Sequence, residues 1–366
     1  MSNKLRVGVV GTGVIGQVMH LHFLREMKDR FEITAVCDLS MSSGAAAAQE
    51  YGVDHVFTDW REMITSPLDA VLVLTSGSHA PIAIEAARAG LHVFVEKPMC
   101  FSTAEGVEMV SEAAKAHKVL MVGYPKRYDP AFQRFQEEVA LLSGPKLLRV
   151  TTTESPFIPY VSHYPMVLAN DVSTEVLAPL VADSQRRLAA AIGTSDEYLV
   201  NQYSNVLLDT LVHEINTVRG VLGEPDWLDF VEMRPGALNA HLSFGDVSAA
   251  IHWVDTPGMT RYSMEFAMMA SDGRVTLSFP SPYLRNAPTA LSIEGGDPGE
   301  TTSWRRDEVT SFESGFKREL IAFYDAVTTG APLLTDGADS VRDIAMCQAI
   351  IRCVQTKQPV EKPTQY

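Results

Sequence analysis

The sequence predicts an α/β protein in two parts: a parallel sheet covered by helices on both faces, then an α+β region with a large, mostly antiparallel open sheet. Three observations carry this reading. Through residue 123, apolar runs alternate with helical patterns. Beyond Tyr124, strand-like runs follow one another with no regular helices between them. The stretch GVVGTGVIGQ (Gly8–Gln17) separates the first strand from the first helix. Strands apolar on both faces and joined through helices are what a doubly covered parallel sheet requires.

In order, Leu5–Val10 reads as a strand, Ile15–Met27 as a helix, Glu32–Cys37 as a strand and Ser43–Tyr51 as an alanine-rich helix. Ala70–Leu74 is the next strand. Ser78 is the expected N-cap of a helix with Pro81 in its first turn and Gly90 at its end. His92–Val95 is a strand, Thr103–His117 a helix and Val119–Val122 a strand. In the second part Leu147–Thr153, Ala249–Val254, Tyr262–Met269 and Arg274–Leu277 read as strands. His241–Phe244 and Val247–Val254 flank Gly245-Asp246, a hairpin signal. Phe316–Thr328 and Asp339–Thr356 are helical. The expected domains are 1–123 and 124–366, the latter holding an extra segment at about 156–203 and closing on helices over 316–356.

A chain of 366 residues suits two domains, and an apolar fraction of 46% is enough for a sizeable core. The net charge of -15 argues against nucleic acid or an anionic membrane as partner. Cys37, Cys100, Cys347 and Cys353 form no C-x-x-C pair, which points to reduced thiols and a cytoplasmic setting. No export signal and no stretch long enough to span a bilayer is expected from these residues.

Gly11, Gly13 and Gly16 match G-x-G-x-x-G between a strand and a helix. In a dinucleotide-binding Rossmann turn the first glycine permits the turn, the second admits the pyrophosphate and the third allows close helix–strand packing. The loop Gly11, Thr12, Gly13, Val14, Ile15, Gly16 then leads into a helix N-terminus, which favours phosphate. Asp38 lies at the end of the second strand, where an acid accepts from the ribose hydroxyls and repels a 2′-phosphate. NAD is therefore expected over NADP. A glycine turn without a ligand is the alternative for the triplet taken alone.

Residues Val93–Met99 read VFVEKPM. With GVVGTGVIG, TSGSHAPIAIEAARAGLHVFVEKP, GYPKRYDPAF (Gly123–Phe132), LLDTLVHEINTVRGVLG (Leu207–Gly223) and FKRELIAFYDAVTTGAP, the sequence resembles the Gfo/Idh/MocA oxidoreductases, the glucose–fructose oxidoreductase and inositol dehydrogenase group. The resemblance implies hydride transfer between a nicotinamide and a secondary hydroxyl of a sugar, sugar derivative or inositol. It assigns catalysis to Lys97, Asp209 and His213, with His213 as general acid/base and Lys97 stabilising the alkoxide. It implies cofactor contacts from Thr75, Ser76, His79, Glu96 and Lys97, and substrate contacts from Lys97, Arg127, Asp209 and His213, with Lys126 beside Arg127. A homodimer or homotetramer is implied as well.

Asp209 and His213 are four apart, hence expected on one face of a helix. Taken without the resemblance, such a pair is more often a surface or capping feature. Lys97 and Asp209 are separated by 112 positions, longer than the family pattern; the surplus at 156–203 is rich in aromatics, and Tyr160 and His163 there are candidates for a substrate wall. A lid or an arm on a neighbouring subunit are the other readings of that segment. His163, Asp171 and Glu175 match no metal-ligand spacing, and no metal is expected. Two other functions stay open: a relative that keeps NAD bound and uses transient oxidation for elimination or glycoside cleavage, and a non-catalytic sugar or nucleotide sensor.

Overall fold

The computed structural model describes residues 4–297, 299 and 301–366. Strand β1 (Leu5–Val10) runs through the glycine loop into π-wound turns at Gly16–His20 and then α1 (Leu21–Glu26). β2 (Phe31–Cys37) leads to α2 (Met41–Tyr51), whose N-cap Ser40 accepts from the Ser43 N–H and whose C-cap Gly52 has φ +67. Two short elements escape the sequence reading: β3 (His55–Phe57) and α3 (Trp60–Met63). Three edge residues and one helical turn show no usable periodicity. β4 (Ala70–Val73), α4 (Ala80–Arg88), β5 (His92–Val95), α5 (Thr103–Lys115) and β6 (Leu120–Val122) complete the first unit. The N-cap of α4 is His79 rather than Ser78, because the chain turns helical one residue later than expected.

All six strands are parallel, in the order β3-β2-β1-β4-β5-β6. The order reverses between β1 and β4, so a crevice opens at the carboxyl ends of these strands, where such sheets take their ligands.

The second sheet follows α6 (Pro130–Leu141). It begins with β7 (Pro145–Glu154) and then departs into α7 (Ile158–Val161), α8 (Thr174–Ile192) and α9 (Glu197–Gln202). A second π-wound stretch, Tyr203–Leu211, runs into α10 (Val212–Leu222). The strands resume with β8 (Trp227–Arg234), β9 (Ala237–Phe244), β10 (Val247–Asp255), β11 (Ser263–Ala270), β12 (Gly273–Phe279), β13 (Ala290–Gly296) and β14 (Ser303–Val309). Helices α11 (Gly315–Thr329) and α12 (Gly337–Thr356) precede β15 (Val360–Glu361). The nine strands lie in the order β14-β13-β12-β11-β7-β10-β9-β8-β15. Every neighbouring pair is antiparallel except β7 and β10. The β9–β10 hairpin turns at Gly245-Asp246, with Phe244 opposite Val247 and Gly245 at φ +57.

The last two helices return to the first unit. Phe316, Leu320 and Phe323 of α11 share a buried cluster with Val7, Val9, Val18 and Leu72. α12 packs so closely on α5 that a Cβ on Gly106 would stand 2.8 Å from Val341. Arg219 ties α10 to α12: it is buried and donates to Asp343, Asp339 and Glu224. Burial lifts the Asp343 carboxyl to about 6 against the pull of Arg219. Arg219→Ala would leave Asp343 buried without its cation, with only the Asn216 amide donating to it, and a loss of about 3–5 kcal/mol in denaturant unfolding is expected. A loss below about 1 kcal/mol would show the network to be redundant.

Candidate functional site

The glycine loop is shaped from within. Gly11 holds φ +98, and a Cβ there would lie 2.8 Å from the Leu74 carbonyl carbon. On Gly16 a Cβ would meet the Gly11 carbonyl at 2.7 Å. Gly13 differs: nothing lies within 4 Å of where its Cβ would be. Its backbone therefore faces open space at a helix start, which suits a pyrophosphate. Thr12 is buried, and its N–H and hydroxyl both donate to Asp38 Oδ2 at 2.8 Å. Ser40 N–H donates to Asp38 Oδ1 at 2.9 Å, so the carboxylate is fixed at the tip of β2. Val14 and Ile15 are partly buried, beside the cluster that holds Val7 and Val9.

Gly13 and Gly11 make a discriminating pair. Gly13→Ala is expected to unfold within about 1 kcal/mol of the parent while dinucleotide affinity falls at least about tenfold. Gly11→Ala should lose stability by about 1–3 kcal/mol, since both φ and the Leu74 contact oppose it. Thermal unfolding and a nucleotide titration on both variants check this; unchanged affinity in Gly13→Ala would remove Gly13 from the cradle.

Lys97 emerges just past β5, where a cis peptide joins it to Pro98. Its Nζ donates to the Asp209 carbonyl at 2.5 Å and to Asp209 Oδ1 at 3.0 Å. Burial pulls the ammonium down, but the charges of Asp209 and Glu96 outweigh it and the net shift is upward. Asp209 lies in the π-wound stretch, not in a regular α-helix as the i,i+4 reading assumed; π-turns often mark functional sites. His213 follows at the start of α10, partly buried, edge-on to Tyr124 at 6.0 Å. Its Nδ1 is sealed from solvent without a partner. Burial, and then the charges of Lys126 and Lys97, hold its pKa well below the usual value, so the ring is neutral. The structure thus brings Lys97, Asp209 and His213 into one electrostatic neighbourhood.

Other groups close on the same place. Lys126 is buried, and its ammonium is lowered to about 8 by burial despite the charge of Glu214. Glu214 takes the Thr152 hydroxyl at 2.6 Å, and burial raises its carboxyl to about 7. Glu154, at the end of β7, is also raised, first by burial. Burial raises Tyr262 and Tyr283, which feel the charges of Glu154 and of Asp209 or Glu214. Glu154, Glu214, Tyr262 and Tyr283 were missed from sequence. Only Glu214 carried a signal, as an acid in the apolar run LVHEINTV.

Several predicted residues serve elsewhere. Arg127 does not face the cleft: it donates to the Asn216 carbonyl at 3.1 Å and packs on Gly220. Glu96 is buried, bonded to His20 at 2.6 Å and accepting from the Lys97 N–H at 3.0 Å. His79 is buried between the carbonyls of Thr75 and Pro98, at 2.7 Å from each. Both residues brace the loops rather than reach into the crevice. Thr75 is partly buried and Ser76 exposed on the loop that His79 holds. In the extra segment, Tyr160 donates to the Thr260 carbonyl at 2.8 Å and accepts from the Tyr262 N–H at 2.7 Å, so it fastens the loop that carries Tyr262. His163 is exposed and stacks on Tyr164 at 4.1 Å. The four cysteines are buried free thiols. No helix of the described residues is long and apolar enough to cross a membrane.

Residues 5–124 match the GFO_IDH_MocA model, described as an oxidoreductase family with an NAD-binding Rossmann fold. Myo-inositol 2-dehydrogenase of Thermotoga maritima is 24% identical over 98% of this chain and 98% of its own. The first unit is thus similar to the NAD-binding Rossmann unit of the Gfo/Idh/MocA oxidoreductases, and the chain as a whole to an inositol dehydrogenase. The chain is similar also to inositol 2-dehydrogenase 3 of Saccharopolyspora erythraea, 26% identical over 97% of this chain and 95% of the relative. Levoglucosan dehydrogenase in complex with NADH has the same fold, with a TM-score of 0.75 and 18% identity, over 99% of this chain and 100% of that one. These inositol dehydrogenase relatives, matched over nearly the full chain, support an oxidoreductase that acts on CH–OH groups.

Proposed function

We propose that this protein is an NAD-dependent dehydrogenase that oxidises a secondary hydroxyl of a sugar, sugar derivative or inositol, or reduces the matching ketone. One observation carries the reading: an ammonium locked to a carboxylate, Lys97 to Asp209, stands beside a neutral, partly buried imidazole at the crevice that the glycine loop and Asp38 also border. A bound nicotinamide supplies the hydride acceptor or donor. This chain's residues manage orientation and the proton. His213, held neutral, accepts the hydroxyl proton. Lys97 stays charged, donates to the substrate oxygen and stabilises the alkoxide that develops there. Asp209 fixes the ammonium in place. Lys126, Glu154, Tyr262 and Tyr283 surround the carbohydrate with donors, acceptors and aromatic faces.

The names of the relatives, inositol 2-dehydrogenases among them, support a polyol substrate. Buried unpaired thiols suit a reducing compartment, the cytoplasm, and the open nine-stranded sheet suits association into a homodimer or homotetramer. A panel of inositols, aldoses, aminosugars and sugar acids, each offered with NAD and with NADP, tests the reading through the absorbance of the reduced nicotinamide. NADH formation on a polyol is the expected result. Absence of turnover across the panel, in either direction, from protein that binds NADH would overturn it.

A further inference from the structure

The aromatic-rich segment between α7 and α8 leaves the second unit and lies across the first. Tyr164 is pinned to the Tyr283 carbonyl at 3.0 Å. Val167 then pairs with the Gln17 side-chain amide through both of its backbone groups: its N–H donates to Oε1 at 3.0 Å, and its carbonyl accepts from Nε2 at 2.8 Å. That same Nε2 also donates to the Thr12 carbonyl in the glycine loop, at 2.6 Å. Two residues on, the Ala169 N–H donates to Ser43 Oγ at 3.1 Å. Asp171 ends the crossing at the N-terminus of α2. Its carboxylate accepts from the Ser42 N–H at 3.0 Å, from the Ser42 hydroxyl at 2.6 Å and from the Ser40 hydroxyl.

The position of this carboxylate gives it a meaning. In Rossmann folds the acid at the end of the second strand takes the ribose hydroxyls, and a cofactor with a 2′-phosphate places that phosphate alongside, usually against an arginine. Here the acid is Asp38, bonded to the Ser40 N–H at 2.9 Å. The next residues are Leu39, Ser40, Met41, Ser42 and Ser43, and no lysine or arginine occurs from Phe31 to Trp60. The donors that remain for a phosphate are the helix N-terminus and the two serines. Asp171 takes them. Those three bonds hold its carboxyl down to about 2, so it is charged at any working pH.

We propose that Asp171, delivered from the second unit, is a cofactor-selectivity residue that fills the 2′-phosphate position of the dinucleotide site and excludes NADP. The inference rests on the reading that the glycine loop and Asp38 hold a dinucleotide. A phosphate entering beside Asp38 meets a second carboxylate and finds its hydroxyl donors engaged. NAD, with a free 2′-hydroxyl, asks nothing of Ser40 or Ser42.

Binding of NADH and NADPH to the full-length protein, followed by nicotinamide fluorescence, tests this without any turnover. Asp171→Asn removes the charge, and Asp171→Ser keeps a hydrogen-bonding group for Ser42; circular dichroism checks that both fold. The parent should bind NADH at least about a hundredfold more tightly than NADPH. Both variants should narrow that ratio by about tenfold, with NADPH gaining and the NADH Kd within about threefold of the parent, because a like-charge juxtaposition has been relieved. An unchanged ratio overturns the proposal. Equal weakening of both nucleotides also overturns it, and makes Asp171 a mere fastener of the crossing segment. A parent that prefers NADPH defeats the NAD reading and this inference together. A parent that prefers NADH and shifts on substitution, yet oxidises no polyol, leaves this inference standing and defeats only the substrate assignment.

Discussion

Lys97→Met is expected to abolish turnover, by about a thousandfold or more, while NADH still binds with the parent's affinity. The side chain is nearly isosteric, so the space beside the π-wound stretch stays filled. What disappears is one positive charge that keeps its proton beside a carboxylate: the ammonium is held up by Asp209 and Glu96 against the downward pull of burial. Without it, nothing else among the described residues bonds both the Asp209 carbonyl and its carboxylate. A kcat within tenfold of the parent would remove Lys97 from the reaction. Equal loss of activity and NADH binding would make it a cofactor anchor instead.

His213 sets the second expectation. His213→Asn should lower kcat by about a hundredfold to ten-thousandfold, the usual worth of a general base, with NADH binding retained. The pH dependence follows from the causes of the shift. Burial comes first, and the charges of Lys126 and Lys97 add to it, so the imidazole stays neutral well below its ordinary value. Oxidation by the parent should therefore show no acid limb near about pH 6.5, where an ordinary histidine titrates. Lys126→Met deletes the larger of the two charge effects and should move the acid limb upward. The stability sign is fixed by the same shift. Between the folded pKa and the unfolded value of about 6.5, the unfolded chain binds more protons, so stability rises with pH in that window and falls as pH drops through it. His213→Asn should flatten this part of the stability profile. An acid limb that ignores Lys126→Met, together with an unaltered stability profile in His213→Asn, would contradict the assignment.

Glu214 opposes His213 in the same range. Its folded carboxyl sits at about 7, above its ordinary value of 4.5, so the folded chain binds more protons between these values and stability falls as pH rises across them. A protein with a neutral imidazole and a raised carboxyl side by side on α10 holds both proton-accepting and proton-donating capacity near neutrality, the condition that acid–base chemistry requires.

Much of the first unit was legible because its signals are local. A strand buried on both faces must be apolar throughout, and a helix must repeat its apolar face, so β1, β2, β4 and β5 could be read from single windows of sequence. The same holds for the β9–β10 hairpin, where two turn residues fix the register. The glycine loop was legible for a steric reason: Gly11 and Gly16 leave no room for a Cβ. Lys97 and His213 were reached through motifs, and no local rule predicts that distant charges would hold one protonated and the other neutral.

What the sequence determined by itself was the alternation of elements, the phosphate-shaped turn and the acid at the end of β2, each a consequence of steric or hydrophobic demands within a few residues. Tertiary structure alone decided the rest. Arg127 turned away from the cleft because Asn216 and Gly220 offered its guanidinium a better seat. Asp209 entered a π-wound stretch, which presented both its carbonyl and its carboxylate to Lys97. Asp171 came to rest on Ser42, 129 positions away in the chain. Such meetings depend on where whole elements dock, and docking is settled by the summed burial of many side chains rather than by the pattern of any one segment.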